Sequence, residues 1–144
     1  MTRAIDTIRQ DFEFLDEWEE RYRYIIDLGS DLPPFPEDLR DEAHKVKGCV
    51  SQVWLDVEYA AGGDPVLTLR GDSDAHIVRG LVAIVLSLFS GLRASEIVKT
   101  DAEETFRALG LDEHLTPQRA NGLRAMVKRI HQAAQAALTR APAQ

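Results

Sequence analysis

Cys49 is the residue with the most distinctive chemistry, because it is the only cysteine in the chain. Lys45 and Lys47 precede it closely, and Gly48 adjoins it. Neighbouring cations lower the pKa of a thiol and so increase the fraction present as the reactive thiolate. A glycine beside the thiol permits a tight backbone turn and the close approach of other groups. The segment therefore predicts a nucleophilic thiol on a loop, with a small buried cysteine as the alternative.

Hydrolysis by Cys49 would need a histidine base and a group that orients it. Two of the four histidines, His76 and His131, fall on predicted helices. His44 is near Cys49 in sequence, but that proximity does not place its ring against the sulfur. A single cysteine also excludes an intrachain disulfide and a cysteine-ligated zinc or iron–sulfur site. A single accessible thiol can also carry out exchange at sulfur, which needs access and a docking surface rather than a triad.

Asp72 and Asp74 are the nearest approach to a pair of catalytic or metal-binding carboxylates. They precede the most apolar segment of the chain, residues 77–89, where short polar side chains usually cap a helix. We therefore expect capping rather than acid–base chemistry, and the sequence predicts no metal site. Arg119 begins the last predicted helix, where a cation is unfavourable beside the positive helix end. A carboxylate partner is therefore expected for Arg119, and Asp72 and Asp74 are the candidates.

The first two predicted elements are helices. Apolar residues recur at helical spacing between residues 5 and 15. A second helix follows between residues 18 and 28, with Asp16 as the expected N-cap in a capping box and Gly29 as the expected stop.

A small sheet is predicted in the middle of the chain. Residues 32–36 are rich in proline and form a crossing rather than a regular helix. Apolar and polar residues then alternate over residues 53–59, a turn follows at 62–65, and residues 66–70 form a partner strand. This hairpin is expected to have one buried face, and residues 44–47 are expected to add a third, edge strand.

The second half of the chain is predicted to be helical. Residues 77–89 form a buried central helix, in which Gly80 is costly unless close packing requires it. Two short helices are expected between residues 95 and 109. The last helix has Thr116 as its N-cap and Pro117 in its first turn. The order of elements predicts an α+β domain, with a small antiparallel three-stranded sheet packed against helices.

The bulk composition indicates one globular domain over residues 1–144, with residues 139–144 frayed. The chain has 144 residues, of which 44% are hydrophobic and 28% charged. Its formal net charge of -7 argues against partners that need a basic surface, namely nucleic acids and anionic membranes. No signal peptide and no apolar run of membrane-spanning length is evident, so a cytoplasmic protein is expected.

Four blocks of the sequence closely resemble signatures of the SufE family, sulfur acceptors of iron–sulfur cluster assembly. They occur in the family's order and span most of the chain: Trp18 to Gly29, Gly48-Cys49-Val50-Ser51-Gln52-Val53-Trp54, Gly71 to Leu81, and Leu115 to Leu123. Val50 replaces a glutamine found in some members. The resemblance implies the SufE/NifU (IscU-like) fold. A cluster scaffold of the IscU type would need several cysteines.

The resemblance implies that Cys49 takes persulfide sulfur from SufS, a PLP-dependent cysteine desulfurase, stimulates that enzyme and passes sulfur to the SufBCD scaffold. PLP would belong to the partner, so no cofactor is expected in this chain, which would be an activator rather than a stand-alone enzyme. The loop from residue 47 to 51 is expected to open on docking. Roles in supporting the thiol are expected for Lys47, Gly48, Val50, Ser51 and Gln52, and roles in partner contact or loop positioning for His44, Lys45, Asp72, Asp74 and Arg119.

Two alternatives stay open at the level of sequence. The chain could be a CsdE-type acceptor that serves another desulfurase, or a non-catalytic binding module in which Cys49 is merely packed. The sequence also leaves open whether the protein forms a homodimer.

Overall fold

A computed structural model of the chain describes residues 4–48 and 51–139. The described residues form seven α-helices and one two-stranded sheet, with a short 3-10 turn at Glu37–Leu39. In chain order the elements are α1 (Ile5–Phe14), α2 (Trp18–Ser30), β1 (Val53–Tyr59), β2 (Leu67–Ser73), α3 (His76–Phe89), α4 (Ala94–Lys99), α5 (Ala102–Ala108), α6 (Leu111–His114) and α7 (Pro117–Thr139). The α+β class predicted from the sequence is confirmed.

Helix α3 lies at the centre of the core, as its apolar sequence predicted. All six residues from Leu81 to Leu86 are buried. The helix contacts α1 and α2, strand β2 and helix α7. Burial of each large apolar side chain contributes roughly 1.5–3 kcal/mol, so α3 supplies much of the driving force that assembles the other elements.

Helices α2 and α3 cross at two glycines. A Cβ atom on Gly80 would lie 2.0 Å from the carbonyl oxygen of Ile25, and one on Gly29 would lie 2.7 Å from the backbone nitrogen of Gly80. Close packing therefore requires Gly80. The expected helix stop at Gly29 is wrong, because α2 continues through Ser30 and uses Gly29 for this contact.

The corner between α1 and α2 is held by an arginine rather than by the expected capping box. Arg21 donates from Nε to the Leu15 carbonyl at 2.8 Å and from Nη2 to the Phe12 carbonyl at 2.9 Å. The N-cap of α2 is Glu17, without a side-chain cap bond. The prediction that Asp16 caps this helix is wrong, because the residue that precedes the helix is Glu17 and Arg21 holds the corner instead.

The two strands are antiparallel, with Val53 opposite Ser73 and Tyr59 opposite Leu67. Strand β2 therefore extends beyond the predicted strand and includes Asp72. The N-cap of α3 is Ala75, which makes no side-chain cap bond. The expectation that Asp72 and Asp74 cap α3 is wrong, since pairing with β1 carries the strand into this segment.

The expected third strand is reduced to a single bridge beside β1. The Val46 N–H donates to the Val53 carbonyl at 2.8 Å, and the Leu55 N–H donates to the His44 carbonyl at 2.9 Å. The chain leaves the sheet at Gly48, whose φ of +93° is incompatible with an extended strand. The sheet of the described residues thus has two strands rather than three.

The start of α7 agrees with the prediction, since the Arg119 N–H donates to Thr116 Oγ1 at 3.3 Å. The sequence did not predict α6, which follows Gly110 at a φ of +74°. Residues 140–144 of the expected frayed end lie outside the described residues. No helix within the described ranges is long and apolar enough to span a membrane.

Candidate functional site

The candidate site is the loop that carries Cys49. Cys49 and Val50 lie outside the described residues, so the site is defined by the residues on either side of them. Gly48 is exposed, and a Cβ atom on it would lie 3.4 Å from Cβ of Ala125 in α7. Ser51 is half-buried and lines a pocket. Both described ends of the loop therefore lie close to α7.

The pocket beside Ser51 lies between α3 and α7 and has a volume of about 260 Å³. Its lining combines apolar and polar residues: Ser51, Val78, Leu81, Thr116, Gln118, Arg119, Gly122, Leu123 and Met126. Ser51 is two residues from Cys49 in the sequence, so the pocket adjoins the thiol-bearing loop. The periodicity of α3 and α7 marked Leu81 and Leu123 as core residues, but gave no sign that a pocket would form between the helices.

Asp74 fixes the C-terminal end of this loop. Its carboxylate accepts a hydrogen bond from the Gln52 backbone N–H at 3.0 Å and a long one from the Gln52 side-chain amide at 3.5 Å. The Asp74 N–H donates in return to the Gln52 carbonyl at 3.2 Å. Asp74 therefore holds the residue at which the chain passes from the loop into β1.

Asp72 forms a cluster with two arginines. Its carboxylate is 13% exposed and accepts from Arg40 Nη2 at 2.7 Å and from Arg79 Nε at 2.8 Å. The hydrogen bond from Arg40 to Asp72 is the largest cause of the raised pKa of Arg40. The expected ion pair of Arg119 with Asp72 or Asp74 is wrong for the described residues, because both carboxylates are engaged elsewhere and Arg119 lines the pocket.

Arg40 also covers the face of the sheet that was expected to face solvent. Its guanidinium lies 5.0 Å from the ring centroid of Trp54 and 5.5 Å from that of Phe35. Trp54 is only 8% exposed. The prediction that the hairpin has one buried face is therefore wrong at Trp54, because residues distant in sequence fold over it.

His44 is engaged by carboxylates at both ring nitrogens. Nδ1 lies 2.7 Å from Asp41 Oδ1, and Nε2 lies 3.5 Å from Asp56 Oδ1. The side-chain hydrogen bond from His44 is the largest cause of the lowered pKa of Asp41. A histidine held between two carboxylates is a structural partner in this geometry, so the arrangement does not favour it as the base of a hydrolase.

Lys45 and Lys47 share an acidic partner in the described structure. Lys47 Nζ lies 2.6 Å from Glu42 Oε2, and Lys45 Nζ lies 4.0 Å from Glu42 Oε1. The hydrogen bond from Lys47 is the largest cause of the lowered pKa of Glu42. The basic approach to the thiol predicted from the sequence is thus partly balanced by Glu42. Among the described residues, no group of three or more metal-ligating side chains could hold a metal ion.

Comparison with known proteins identifies relatives over nearly the whole chain. A family model described as SufE, an Fe-S metabolism associated domain, matches residues 6–134. A SufE-like protein of Rhizobium meliloti is 59% identical over 137 residues, which cover 94% of this chain and 97% of that protein. A SufE-like protein of Rhizobium etli is 56% identical over 133 residues, covering 91% and 89% respectively.

The fold also matches a solved structure. The solution structure of a hypothetical protein from Thermus thermophilus gives a TM-score of 0.74 at 20% identity. The match covers 96% of this chain and 98% of that one. At this identity the likeness concerns the fold alone.

Proposed function

Because the chain belongs to the SufE family of Fe–S metabolism, we propose that it is a sulfur acceptor whose Cys49 takes persulfide sulfur from a cysteine desulfurase of the SufS type. PLP belongs to that partner. The observation that carries the proposal is the placement of the loop around the single cysteine. Gly48 lies against α7, Ser51 lines a pocket between α3 and α7, and Asp74 holds Gln52.

The proposed transfer is a thiol exchange that is balanced in atoms and electrons. The Cys49 thiolate attacks the terminal sulfur of the partner's persulfide, and a new S–S bond forms at Cys49. The S–S bond of the donor breaks, and its electron pair leaves on the donor cysteine as a thiolate. The proton that Cys49 loses is matched by one that the donor thiolate takes up, so no external oxidant or reductant is consumed.

The pocket supports a resting state in which transferred sulfur is protected. Its apolar residues Val78, Leu81 and Met126 can exclude water from a polarisable sulfur placed beside Ser51. Protection restricts access, so we expect the segment between Lys47 and Ser51 to open when the desulfurase docks. Hydrogen exchange of this segment should then become faster in the complex. Slower or unchanged exchange on docking would contradict the opening step.

Delivery completes the proposed function. Draining persulfide from the desulfurase frees its active-site cysteine and so stimulates turnover. The sulfur then passes to a scaffold of the SufBCD type in the cytoplasm. A desulfurase of the type served by CsdE is the alternative partner, and parallel assays with the two desulfurases of one cell would distinguish them.

The direct test is mass spectrometry after incubation with a desulfurase, PLP and L-cysteine in the absence of reductant. We expect a mass increase of one sulfur atom that maps to Cys49. The increase should disappear on treatment with a thiol reductant and should not form in Cys49→Ser. Absence of the adduct with a desulfurase that is demonstrably active would contradict the proposal and favour a binding module with a packed Cys49.

A further inference from the structure

Arg129 of α7 binds the chain segment that leads into the thiol-bearing loop. Its Nη1 donates to the Lys45 carbonyl at 2.8 Å, and its Nη2 donates to the Ala43 carbonyl at 2.7 Å. Hydrogen bonds from a charged donor are stronger than neutral ones. The guanidinium also presents two donors in a fixed geometry. One side chain of the last helix thus binds two backbone carbonyls that are 84 and 86 residues earlier in the chain.

The same segment is held on its other side by β1. The Val46 N–H donates to the Val53 carbonyl at 2.8 Å, and the His44 carbonyl accepts from the Leu55 N–H at 2.9 Å. Two backbone hydrogen bonds at a single bridge form a short pairing, much shorter than a typical strand pair. The Val46 side chain, which is 2% exposed, adds an apolar contact to this short pairing. Arg129 adds polar contacts from α7 on both sides of the carbonyl of His44.

Helix α7 contacts the loop again one turn before Arg129. A Cβ atom on Gly48 would be 3.4 Å from Cβ of Ala125, which is four residues from Arg129 and hence on the same face of the helix. Gly48 has no Cβ, so this distance shows that its backbone lies near α7, whereas the carbonyl of Lys45 accepts a charged hydrogen bond from α7. Among the described contacts, the hydrogen bonds of Arg129 reach the segment at Ala43 and Lys45.

We propose that Arg129 is a positioning residue for the Cys49 loop. It orders the segment from Ala43 to Lys45 that leads into this loop, while Asp74 holds Gln52 on the other side. This inference rests on the proposed function and adds to it the residue that orders the loop before the partner arrives.

Loss of Arg129 should affect docking of the desulfurase more than the transfer of sulfur. When only a fraction of a protein has the conformation that binds, its apparent affinity falls by that fraction. Without Arg129 the segment around Lys45 would sample open positions, and the desulfurase would have to order it. Once docked, the partner imposes the same loop geometry in either case. Loss of Arg129 should therefore weaken docking and leave the transfer rate at saturation nearly unchanged.

The test compares Arg129→Ala and Arg129→Lys with Arg124→Ala as the matched control. Arg124 lies on the same helix and binds the exposed Glu103 instead of the loop segment, at 3.2 Å. For each variant, native-state hydrogen exchange is measured at the Val46 and Leu55 amides. The desulfurase concentration at half-maximal transfer and the saturating transfer rate are measured separately. Urea unfolding reports the stability of the whole domain.

We expect Arg129→Ala to speed exchange at Val46 and Leu55 by roughly tenfold, since a hydrogen bond to a charged group is lost. Exchange at Glu58, which is opposite Thr68 and whose N–H points towards β2 like that of Ala60, should not change. The half-maximal desulfurase concentration should rise by a similar factor, roughly tenfold at most, without loss of saturating rate. Arg129→Lys, which keeps the charge and one donor to a carbonyl, should recover part of both effects, and Arg124→Ala should match the wild type.

Three results would overturn the inference. The first is an Arg129→Ala protein that matches Arg124→Ala in exchange and in half-maximal concentration. The second is a uniform loss of protection with lower urea stability, which would make Arg129 a general structural residue. The third is a fall in saturating rate alone. If the wild-type protein accepts no sulfur, the proposed function fails. Hydrogen exchange at the Val46 and Leu55 amides still decides whether Arg129 orders the segment from Ala43 to Lys45.

Discussion

The crossing of α2 with α3 and the segment from residue 41 to 52 are held in opposite ways. At the crossing, backbone meets backbone, and a Cβ on Gly80 would lie 2.0 Å from the Ile25 carbonyl oxygen. In the loop segment, Val46 is buried in the core, but the side-chain contacts on either side of it are polar. Arg129 binds the segment from α7, and Asp74 binds Gln52 from the turn before α3.

This difference separates the rigid part of the molecule from the part that can move. Steric contacts in a packed core have no alternative arrangement, because any displacement creates overlap or a void. A hydrogen bond at the surface can exchange its partner for water at a net cost of only about 1 kcal/mol. Segments held mainly by such bonds open locally at low free energy. The contact pattern therefore predicts rigidity at the glycine crossing and easier local opening at the polar contacts of Lys45 and Gln52.

Gly80→Ala tests the rigid region and should have the largest effect. The added methyl group overlaps backbone atoms of Ile25, which have no free space into which to move. Overpacking of a core costs typically about 1–3 kcal/mol and occasionally more, and contact with backbone puts this site at the upper end. The free energy of unfolding, measured in urea, should fall by about 3 kcal/mol or more, or cooperative unfolding should be lost.

Gly63→Ala is the matched control for this substitution. Gly63 has no atom within 4 Å of an added Cβ, and its φ is not in the left-handed region. Its stability should stay within about 0.5 kcal/mol of the wild type. A Gly80→Ala protein as stable as Gly63→Ala would show that the α2–α3 crossing can relax, and the contrast between the two regions would be lost.

Asp74→Ala tests the mobile region and should have a smaller, local effect. The variant loses the carboxylate that accepts from the Gln52 N–H but keeps the backbone bond from its own N–H to the Gln52 carbonyl. The free energy of unfolding should fall by no more than about 1 kcal/mol. The Gln52 amide should exchange faster, and Cys49 should react faster with a small thiol reagent.

Asp27→Ala provides the control, because Asp27 is an exposed acidic residue of α2 far along the chain from the loop. It should change neither Gln52 exchange nor thiol reactivity. If Asp74→Ala gives the same reactivity as Asp27→Ala, the Asp74–Gln52 contact does not restrain the thiol.

The sequence predicted well those elements whose formation depends on local pattern. The apolar spacing of α1, α3 and α7 and the cap at Thr116 follow from neighbours within a few turns. The sequence marked Gly80 as costly unless close packing required it, but did not show that its partner is Ile25 of α2. Residues 71–73 were harder, because short polar residues favour a cap but here complete β2. Their pairing with Val53 and its neighbours lies about 20 residues away, and such long-range pairing outweighs a local preference.

The contacts around the thiol-bearing loop were harder still to predict from the sequence. The family motif located Cys49, but Arg40, Arg79 and Arg129 carry no local sign of their partners. Arg129 reads as an exposed residue of a long helix, and the two carbonyls that it binds are backbone groups without a sequence signature. Glu42 is close to Lys45 and Lys47 in the sequence, but its ion pairs with them form only because a turn brings the side chains together.

The smallest expected effect concerns Glu42 and Lys47 at the exposed edge of the loop. The hydrogen bond from Lys47 lowers the pKa of Glu42 from its usual value of 4.5. A carboxylate whose pKa is lower in the folded state adds stability above its unfolded pKa and loses it as pH falls through the folded pKa. Lys47→Ala should therefore raise the Glu42 pKa towards 4.5 in an NMR titration. Its slight loss of stability at neutral pH should vanish in acid, below the folded pKa.

Lys128→Ala, which removes an exposed lysine of α7, should leave the Glu42 pKa unchanged. If Glu42 titrates alike in both variants, the Lys47–Glu42 ion pair is not formed in solution. The positive charge of Lys47 near Cys49 in the sequence is then not balanced by Glu42. A small shift on one glutamate thus measures whether Lys47 is paired at the exposed edge of the loop. Proton binding at Glu42 reports the local field directly, whereas sulfur transfer reports it only together with docking.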